Sequence, residues 1–499
     1  MSSQDNNNDT TSATSNENFS FSRRSKTESL LSALQSSDNL PTSGSPYTST
    51  DTAANSLEEG AFYQRSMNTF KNITIGGTVF DGFLLAASQE VGQSILTLPN
   101  VFAQTGFVGG VILELVFATL ALYTNYLLVA MHAQHRHNLK ESGDAKHEDP
   151  YHIVSYHEIM EGLVGKWMKY FSLTVVFFAL LGLTTVQIIA TSSNMYILDP
   201  TTDKRTWSFI WGGLFSLIAF VPTFKHYRAI SVLGILTTTY VAWFMTVTAA
   251  IKGPEEGVTY EGPQTVQSFF NGFVQLLFVY GGHTSNIEVA DVMDSPGSYD
   301  KSYFWSYIYV FTLTMPNAVT VYHTYGMQAL YQGANSFTLF ERSAARDLGI
   351  IMMTLHQAVA FGLFAGPLFH MFEKMIHIHD KPFWIRALAR LPLCGVMLLL
   401  AVAFPFFGAV NAVLGAFTTS FGTYIIPVIA YNLAFKSTDD MVKKPVVSLK
   451  LLKAFNWLVA AFVILGGVGM GGYTSIKGFI AQIDEFDYFA PCYQCNPEL

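Results

Sequence analysis

The stretch LLAASQEVGQSILTLP, residues 84–99, places a carboxylate inside an apolar segment that is long enough to cross a lipid bilayer. Glu90 stands near its middle, beside Gln89, Gly92 and Gln93. An ionised carboxylate at the bilayer centre costs about 2.5 to 3.5 kcal/mol on insertion scales. A chain that keeps such a residue has a partner or a function for it. The stretch therefore predicts a polar site within a membrane protein.

The composition of the whole chain is typical of a polytopic membrane protein. Of its 499 residues, 50% are hydrophobic and only 13% are charged, whereas soluble domains carry about 25% charged residues. We count eleven apolar segments of about 20 residues, the length that crosses a bilayer. Their expected centres are Glu90, Ala118, Leu180, Leu214, Trp243, Tyr280, Leu313, Gly362, Val402, Gly422 and Ile464. The expected fold class is an all-α polytopic membrane protein.

The chain divides into three expected regions. Residues 1–75 form a Ser/Thr/Asn-rich tail with too few large apolar residues to build a core, which predicts disorder. Residues 76–480 form the transmembrane domain, and residues 481–499 a short C-terminal tail. Sixteen Lys and Arg residues fall in the loops on the side of the N-terminus against six on the other side. The positive-inside rule therefore predicts a cytoplasmic N-terminus and, with eleven spans, an extracellular C-terminus.

Glycine interrupts two segments at mid-membrane depth. The first interruption is QEVGQS (89–94) in span one, and the second is VYGGHTSNIE (279–288) in span six. They occupy corresponding positions if spans one to five and six to ten are two inverted halves. Paired broken helices of this kind indicate the central binding site of a transporter, because freed backbone groups are tolerated in a membrane only where they line a cavity or bind something. The predicted helix breaks are at Gly92, Gly281 and Gly282.

The candidate site residues are the polar side chains near these breaks or deep in other spans. The predicted substrate-binding residues are Gln89, Glu90, Gln93, Gln187, Tyr280, His283, His356 and Gln357. The candidates for proton coupling are Glu90, His283 and Glu288, because carboxyl and imidazole groups exchange protons reversibly. The alternative for each is a permanent structural hydrogen bond or ion pair. We expect Asn411 to cap a helix, and we expect Glu114 and Glu373 to lie near the membrane faces.

Other chemistries lack their sequence signatures. The chain contains no Walker A loop, no GxSxG motif and no His/Cys cluster with metal-ligand spacing. We therefore expect neither an enzyme nor a bound metal or cofactor. Basic stretches such as MVKKPVV suit a membrane surface, so no nucleic-acid partner is expected. The three cysteines exclude a disulfide framework; Cys492 and Cys495 could pair outside the cytosol or remain free thiols.

Several motifs together resemble the plant auxin influx carriers of the amino acid/auxin permease family. They are ILTLPNVFAQTG, TSSNMYILD, DKRTW, YGGHTSNIE, YVFTLTMP, ALARLPL, FPFFGAVNAVLGAF, TTSFGTYIIP and CYQC, spread over about residues 75–499. The resemblance implies a LeuT-like 5+5 inverted repeat of eleven transmembrane helices, with helices 1 and 6 broken. It implies proton-driven import of indole-3-acetic acid across the plasma membrane, by alternating access around a site between spans one, three, six, eight and ten. It places Gln89, Glu90, Gln93, Gln187, His283, His356 and Gln357 in that site.

One departure from the plant pattern bears on the substrate. The plant carriers read Ser-Asn-Gln at the span-one break, whereas this chain reads Ser88-Gln89-Glu90. An ionised Glu90 repels an anionic substrate and favours an amine, as in an amino-acid permease. A protonated Glu90 donates a hydrogen bond to the carboxylate of indole-3-acetic acid or a related small organic acid. A membrane sensor that binds ligand without transport is an alternative of a different class.

Overall fold

A computed structural model describes residues 78–90, 92–143, 154–220, 227–293, 295–331, 334–378, 381–439 and 441–484. Within these ranges the secondary structure is helical, without a β-strand. The predicted all-α fold class is thus confirmed. The N-terminal tail at 1–75, the last part of the C-terminal tail and the pair Cys492 and Cys495 lie outside the described residues.

Fourteen principal helices, labelled in chain order, carry the fold. The first seven are α1 (Val79–Glu90), α2 (Ser94–Thr105), α3 (Phe107–Glu141), α4 (Tyr156–Leu163), α5 (Lys166–Leu198), α6 (Lys204–Ser216) and α7 (Tyr227–Lys252). The others are α8 (Val266–Val279), α9 (His283–Val292), α10 (Tyr299–Tyr325), α11 (Ala344–Met375), α12 (Phe383–Ala403), α13 (Phe407–Ala434) and α14 (Leu449–Asp484). π-Helical turns interrupt α13 at Gly415–Ile425 and α14 at Ile464–Gly471.

Seven helices in the described part of the chain are long and apolar enough to cross a membrane: α3, α5, α7, α11, α12, α13 and α14. Some of the expected spans do not meet this criterion of length and apolarity, namely α6, α10 and the separate helices of the pairs α1–α2 and α8–α9. The total of eleven spans therefore stays a prediction. The expected centre of span nine at Val402 is wrong, because α12 ends at Ala403. The apolar run continues through FPFFG, where Pro405 disfavours helix at the preceding residue.

Two interruptions divide helices that would otherwise be continuous. The helix α1 ends at Glu90 and α2 begins at Ser94, so Gly92 and Gln93 form a non-helical connection. The helix α8 ends at Val279 and α9 begins at His283, so the second connection comprises Tyr280, Gly281 and Gly282. We call these two connections the span-one break and the span-six break.

The helices around the breaks pack closely on one another. The helix α11 lies against α5 and α7, while α10 lies against α1, α2, α3 and α7. The helix α8 packs on α2 and on the π-helical part of α13. Fully buried tyrosines from α10 and α13, including Tyr303 and Tyr424, occupy the core beside the breaks. Buried tyrosine places a hydroxyl where backbone groups freed from a helix need partners.

Candidate functional site

Glu90 ends α1 at the span-one break and is enclosed by protein. Only 6% of the residue is exposed. It interacts electrostatically with the hydroxyl groups of four buried tyrosines: Tyr299, Tyr303 and Tyr307 on α10 and Tyr424 on α13. The carboxyl therefore lies inside the helix bundle, within electrostatic range of these hydroxyl groups.

His356 on α11 faces the same break. Its Nδ1 lies 3.1 Å from the carbonyl oxygen of Gly234 on α7. A carbonyl only accepts hydrogen bonds, so Nδ1 carries the proton and Nε2 of the neutral ring is an acceptor. That Nε2 points at Gly92, where a Cβ atom would stand 2.8 Å from it. Glycine at position 92 thus allows the imidazole to reach the backbone of the break.

Gln93 links the span-one break to α13. Its Nε2 donates to Asn411 Oδ1 across 3.3 Å, and both residues are buried. The expectation that Asn411 caps a helix is wrong. It lies one turn inside α13, and its amide turns inward because α13 packs beside the break.

Gln357 on α11 hydrogen-bonds residues of α5, the helix that also carries Gln187. The Oε1 of Gln357 accepts from Thr191 Oγ1 at 2.8 Å and from Asn194 Nδ2 at 3.1 Å. Gln187 precedes Thr191 by four residues and therefore lies on the same face of α5. It is 3% exposed. Two glutamines thus line the interface of α5 with α11.

His283 begins α9 at the span-six break and is fully buried. Its Nδ1 lies 3.1 Å from the Tyr303 hydroxyl, which lies 2.7 Å from the Tyr307 hydroxyl. Tyr307 donates to the carbonyl oxygen of Tyr280 at 2.7 Å. Because that last oxygen only accepts, the Tyr307 oxygen must accept from Tyr303, whose oxygen must then accept from Nδ1–H. The chain of contacts thereby fixes the proton of His283 on Nδ1.

The other ring nitrogen of His283 has partners that suit either protonation state. Nε2 lies 3.0 Å from Thr124 Oγ1 and 3.1 Å from the carbonyl oxygen of Ala121 on α3. The Thr124 hydroxyl also lies 3.0 Å from the carbonyl oxygen of Leu120. It can donate to a bare Nε2, or turn to Leu120 when Nε2 carries a proton. The neutral ring can thus accept from the Thr124 hydroxyl through Nε2, and a protonated ring would donate from Nε2 to the Ala121 carbonyl oxygen.

Three further predicted residues, Tyr280, Gly281 and Glu288, lie at or near the span-six break. Tyr280 is fully buried, with its ring centroid 5.6 Å from that of Tyr307. A Cβ at Gly281 would stand 2.3 Å from Thr419 Cγ2, so glycine lets α13 approach the break closely. Glu288, on α9, is partly exposed and has an interacting partner.

Six buried polar atoms around the span-one break and on the adjoining faces of α5, α11 and α13 have no hydrogen-bond partner within the described residues. They are Gln89 Oε1, Gln93 Oε1, Gln187 Oε1, His356 Nε2, Gln357 Nε2 and Asn411 Nδ2. Each unsatisfied buried group costs about 1 to 3 kcal/mol, so such a concentration calls for a ligand or ordered water. The set offers amide donors and several acceptors, which suits a small polar or zwitterionic molecule.

A cavity of about 1330 Å³ lies farther along the same helices. Asn100 and Gln104 line it, seven and eleven residues beyond Gln93, and therefore on the same face of α2 as Gln93. Lys204, Arg342 and Arg346 also line it. The cavity is bordered by the ends of helices that the charge pattern assigns to the extracellular side. A polar stripe on α2 thus leads from the cavity toward the span-one break.

Two carboxyls that we expected near the membrane faces, Glu373 and Glu114, are fully buried, while their depth in the membrane stays a prediction. Glu373 forms ion pairs with Arg386 at 2.8 Å and with Arg390 at 2.6 Å. Glu114 Oε1 accepts a hydrogen bond from the Tyr280 hydroxyl at 3.1 Å. The position of a residue along a helix sets its depth in the membrane, whereas its burial depends on whether its face of the helix packs against other helices. The sequence did offer one indication that Glu114 is a site residue, because it lies only four residues from Ala118, the expected centre of span two.

The chain matches the family model described as transmembrane amino acid transporter protein over residues 76–474. It belongs to the transmembrane amino acid transporter family. This membership agrees with the polar helix breaks and with the resemblance to auxin influx carriers. The function class is therefore transport.

Curated relatives narrow the resemblance. Auxin transporter-like protein 1 of Medicago truncatula is 38% identical over 438 residues, which is 86% of this chain and 91% of the relative. Auxin transporter protein 1 of Arabidopsis thaliana is 36% identical over 85% of this chain and 88% of its own length. Auxin transporter-like protein 2 of Oryza sativa subsp. japonica is 37% identical with the same coverage. The resemblance to auxin carriers seen in the motifs is thus confirmed for this member of the transmembrane amino acid transporter family.

A solved structure of a Na+-coupled sialic acid symporter in a substrate-bound outward-open state covers 81% of this chain and 92% of that chain. Its TM-score is 0.49 and its sequence identity 11%. At this level the likeness adds nothing to the family assignment.

Proposed function

We propose that this member of the transmembrane amino acid transporter family is a proton-coupled importer of indole-3-acetic acid that works by alternating access. The observation that carries the proposal is the set of unpaired buried polar atoms contributed by the span-one break, α5, α11 and α13. Helices from both halves of the chain supply them. Polar atoms that remain unpaired inside a packed bundle are tolerated where a ligand completes their hydrogen bonds.

The chemistry of these atoms fits an indole acid. The amide N–H groups of Gln357 and Asn411 are donors for a carboxylate, and Gln187 Oε1 is an acceptor for an indole N–H. The relatives that share 36 to 38% of their residues with this chain are named auxin transporters. The donors and acceptors of the site can bind such an acid, and the names of the relatives favour auxin among the small polar molecules that fit.

Glu90 sets the condition under which an anion can load. A carboxylate beside the substrate carboxylate would be repelled in a site that excludes water. Protonation removes this repulsion and turns Glu90 into a donor, so proton and substrate bind together. The alternative is an amino-acid permease, in which ionised Glu90 receives the ammonium group of a zwitterion. The tyrosine hydroxyl groups around Glu90 can serve either form.

His283 is the second proton-coupling group of the proposal. Its fixed Nδ1–H and the adaptable Thr124 hydroxyl let Nε2 accept and release a proton in place. The Tyr303–Tyr307 pair connects this imidazole with the surroundings of Glu90. Glu288, five residues after His283 on α9, is a candidate relay in the second half of span six.

The proposed setting is the plasma membrane, with the N-terminus in the cytoplasm and the C-terminus outside. The cavity beyond Asn100 and Gln104 would then open to the exterior. Its three cationic residues, Lys204, Arg342 and Arg346, favour the approach of an anion. A membrane potential that is negative inside drives the import if more than one proton accompanies each anion, because the complex then carries net positive charge. The driving force is about 2.3 kcal/mol per charge per 100 mV.

The test is uptake of radiolabelled indole-3-acetic acid by cells that express the wild type, Glu90→Gln or Glu341→Gln. Glu341 has a 91% exposed side chain and serves as the matched control. We expect wild-type accumulation at acidic external pH, its loss with a protonophore, loss of pH dependence in Glu90→Gln, and wild-type behaviour in Glu341→Gln. Uptake by Glu90→Gln but not by the wild type would overturn the proposal and favour amines as substrates.

A further inference from the structure

Glu114 is a buried carboxyl in α3 that the predicted site does not include. It is 0% exposed, although its neighbours Ile112 and Leu115 on the same helix are exposed on the bundle surface. Its Oε1 accepts from the Tyr280 hydroxyl, and Thr314 on α10 also hydrogen-bonds its side chain. Its Oε2 is buried without a hydrogen-bond partner in the described part of the chain.

The surroundings of Glu114 contain hydroxyl groups and no paired cation. Tyr280 faces it from the span-six break and Thr314 from α10, while Tyr424 on α13 interacts with Tyr280. Among the described residues, no Lys, Arg or His forms an ion pair with Glu114. An ionised carboxylate buried without a cation is strongly disfavoured. Burial without a cation therefore favours the protonated, neutral form of the carboxyl in this conformation.

Tyr280 connects Glu114 to the span-six break and to His283. Its side chain hydrogen-bonds Glu114, while its main-chain carbonyl receives the hydrogen bond from Tyr307 that continues to Tyr303 and His283. Tyr280 directly precedes Gly281 and Gly282, where the backbone leaves the helix. A rearrangement of the span-six break therefore moves the hydroxyl that closes off Glu114.

We propose that Glu114 is a further proton-carrying residue of the transport cycle, released from Tyr280 when the span-six break rearranges. The inference rests on the proposed function and adds a proton that the predicted site does not account for. With Tyr280 displaced, water reaches the carboxyl and takes its proton, leaving a carboxylate and hydronium. The return of Tyr280 follows reprotonation from water on the opposite side of the membrane.

The first experiment counts protons per substrate. Purified wild type, Glu114→Gln and Thr314→Val are reconstituted in vesicles, and charge movement is measured together with uptake of radiolabelled indole-3-acetic acid. Glutamine keeps the acceptor for Tyr280 but cannot ionise, whereas Thr314→Val removes one hydroxyl and keeps the carboxyl. We expect Glu114→Gln to move one proton fewer per substrate and Thr314→Val to keep the wild-type ratio. An unchanged ratio in Glu114→Gln overturns the proposal.

The second experiment does not depend on the substrate. Infrared spectra of the purified proteins are recorded in H2O and D2O, and the carbonyl stretch of protonated carboxylic acids is compared between wild type and Glu114→Gln. We expect a band in the wild type that Glu114→Gln lacks. Absence of that difference means that Glu114 is ionised and overturns the inference. Should the wild type fail to transport indole-3-acetic acid, the proposed function falls, while the infrared comparison still decides the state of Glu114.

Discussion

Gly92→Ala tests whether the span-one break needs glycine because of His356. The added Cβ would stand 2.8 Å from His356 Nε2, although non-bonded heavy atoms prefer about 3.5 Å or more. The imidazole must therefore retreat by about 0.7 Å. It is 1% exposed and its Nδ1 is hydrogen-bonded to the Gly234 carbonyl, so the movement strains that bond and crowds the core.

The cost can be estimated from its parts. Overpacking a buried site costs about 1 to 3 kcal/mol. Replacing glycine by alanine recovers about 0.4 to 1 kcal/mol through the less flexible unfolded chain. We expect a net loss of about 1 to 2 kcal/mol in the free energy of unfolding. Because the ring is displaced from the break, we also expect reduced uptake.

The assay is thermal unfolding in detergent for Gly92→Ala, His356→Ala and the double variant. Gly213→Ala is the matched control, since a Cβ at Gly213 on α6 meets no atom within 4 Å. If the imidazole is the obstacle, Gly92→Ala is less damaging in the His356→Ala background, by about 1 kcal/mol of coupling. Equal costs in both backgrounds, or a Gly92→Ala protein as stable as Gly213→Ala, would refute the reasoning.

Three further predictions follow from other parts of the structure. Glu373→Gln leaves Arg386 and Arg390 without their buried carboxylate, so we expect the free energy of unfolding to fall by about 3 to 5 kcal/mol. Thermal unfolding and surface expression measure this loss. The control Lys374→Ala removes only a partly exposed ion pair with Glu158 at 3.9 Å and should cost less than about 1 kcal/mol. In α4, outside the membrane-spanning helices, burial lowers the pKa of His157 to about 4, below the usual value of about 6.5. Below about pH 6.5 the unfolded state therefore binds a proton that the folded state does not. The free energy of unfolding should accordingly decrease by about 1 to 2 kcal/mol when the pH is lowered from about 7 to about 5. This decrease should be smaller in His157→Asn. Gln187→Leu removes an unpaired buried oxygen, so we expect unchanged or higher thermal stability together with about tenfold or greater loss of indole-3-acetic acid uptake; a loss of stability instead would identify Gln187 as structural.

Local sequence was sufficient for the two helix breaks. Gly92 and the pair Gly281–Gly282 interrupt apolar segments beside polar residues, and both the conformational freedom of glycine and the cost of a charge in a membrane are properties of short stretches. Family membership followed from motifs that lie along the whole chain. None of these inferences required knowing which helices touch.

The partners of the site residues depended on contacts between distant segments. Asn411 looked like a helix cap because it opens span ten just after FPFFG, yet α13 turns it toward Gln93, which lies 318 residues earlier. The two nitrogens of His283 are occupied by α3 and α10, which no spacing in the chain indicates.

The surroundings of the three buried carboxyls likewise depended on contacts between distant segments. Glu90, Glu114 and Glu373 are each a single carboxylate near an apolar run, and the sequence alone distinguished them only by depth. Tertiary packing brings the first within electrostatic range of buried tyrosines, and it gives the second a hydroxyl at the span-six break and the third two arginines. The sequence by itself determined where two of the helices break, because a break depends on local hydropathy and backbone freedom. Only the tertiary structure decided what each buried charge contacts, because electrostatic partners are set by distance in space.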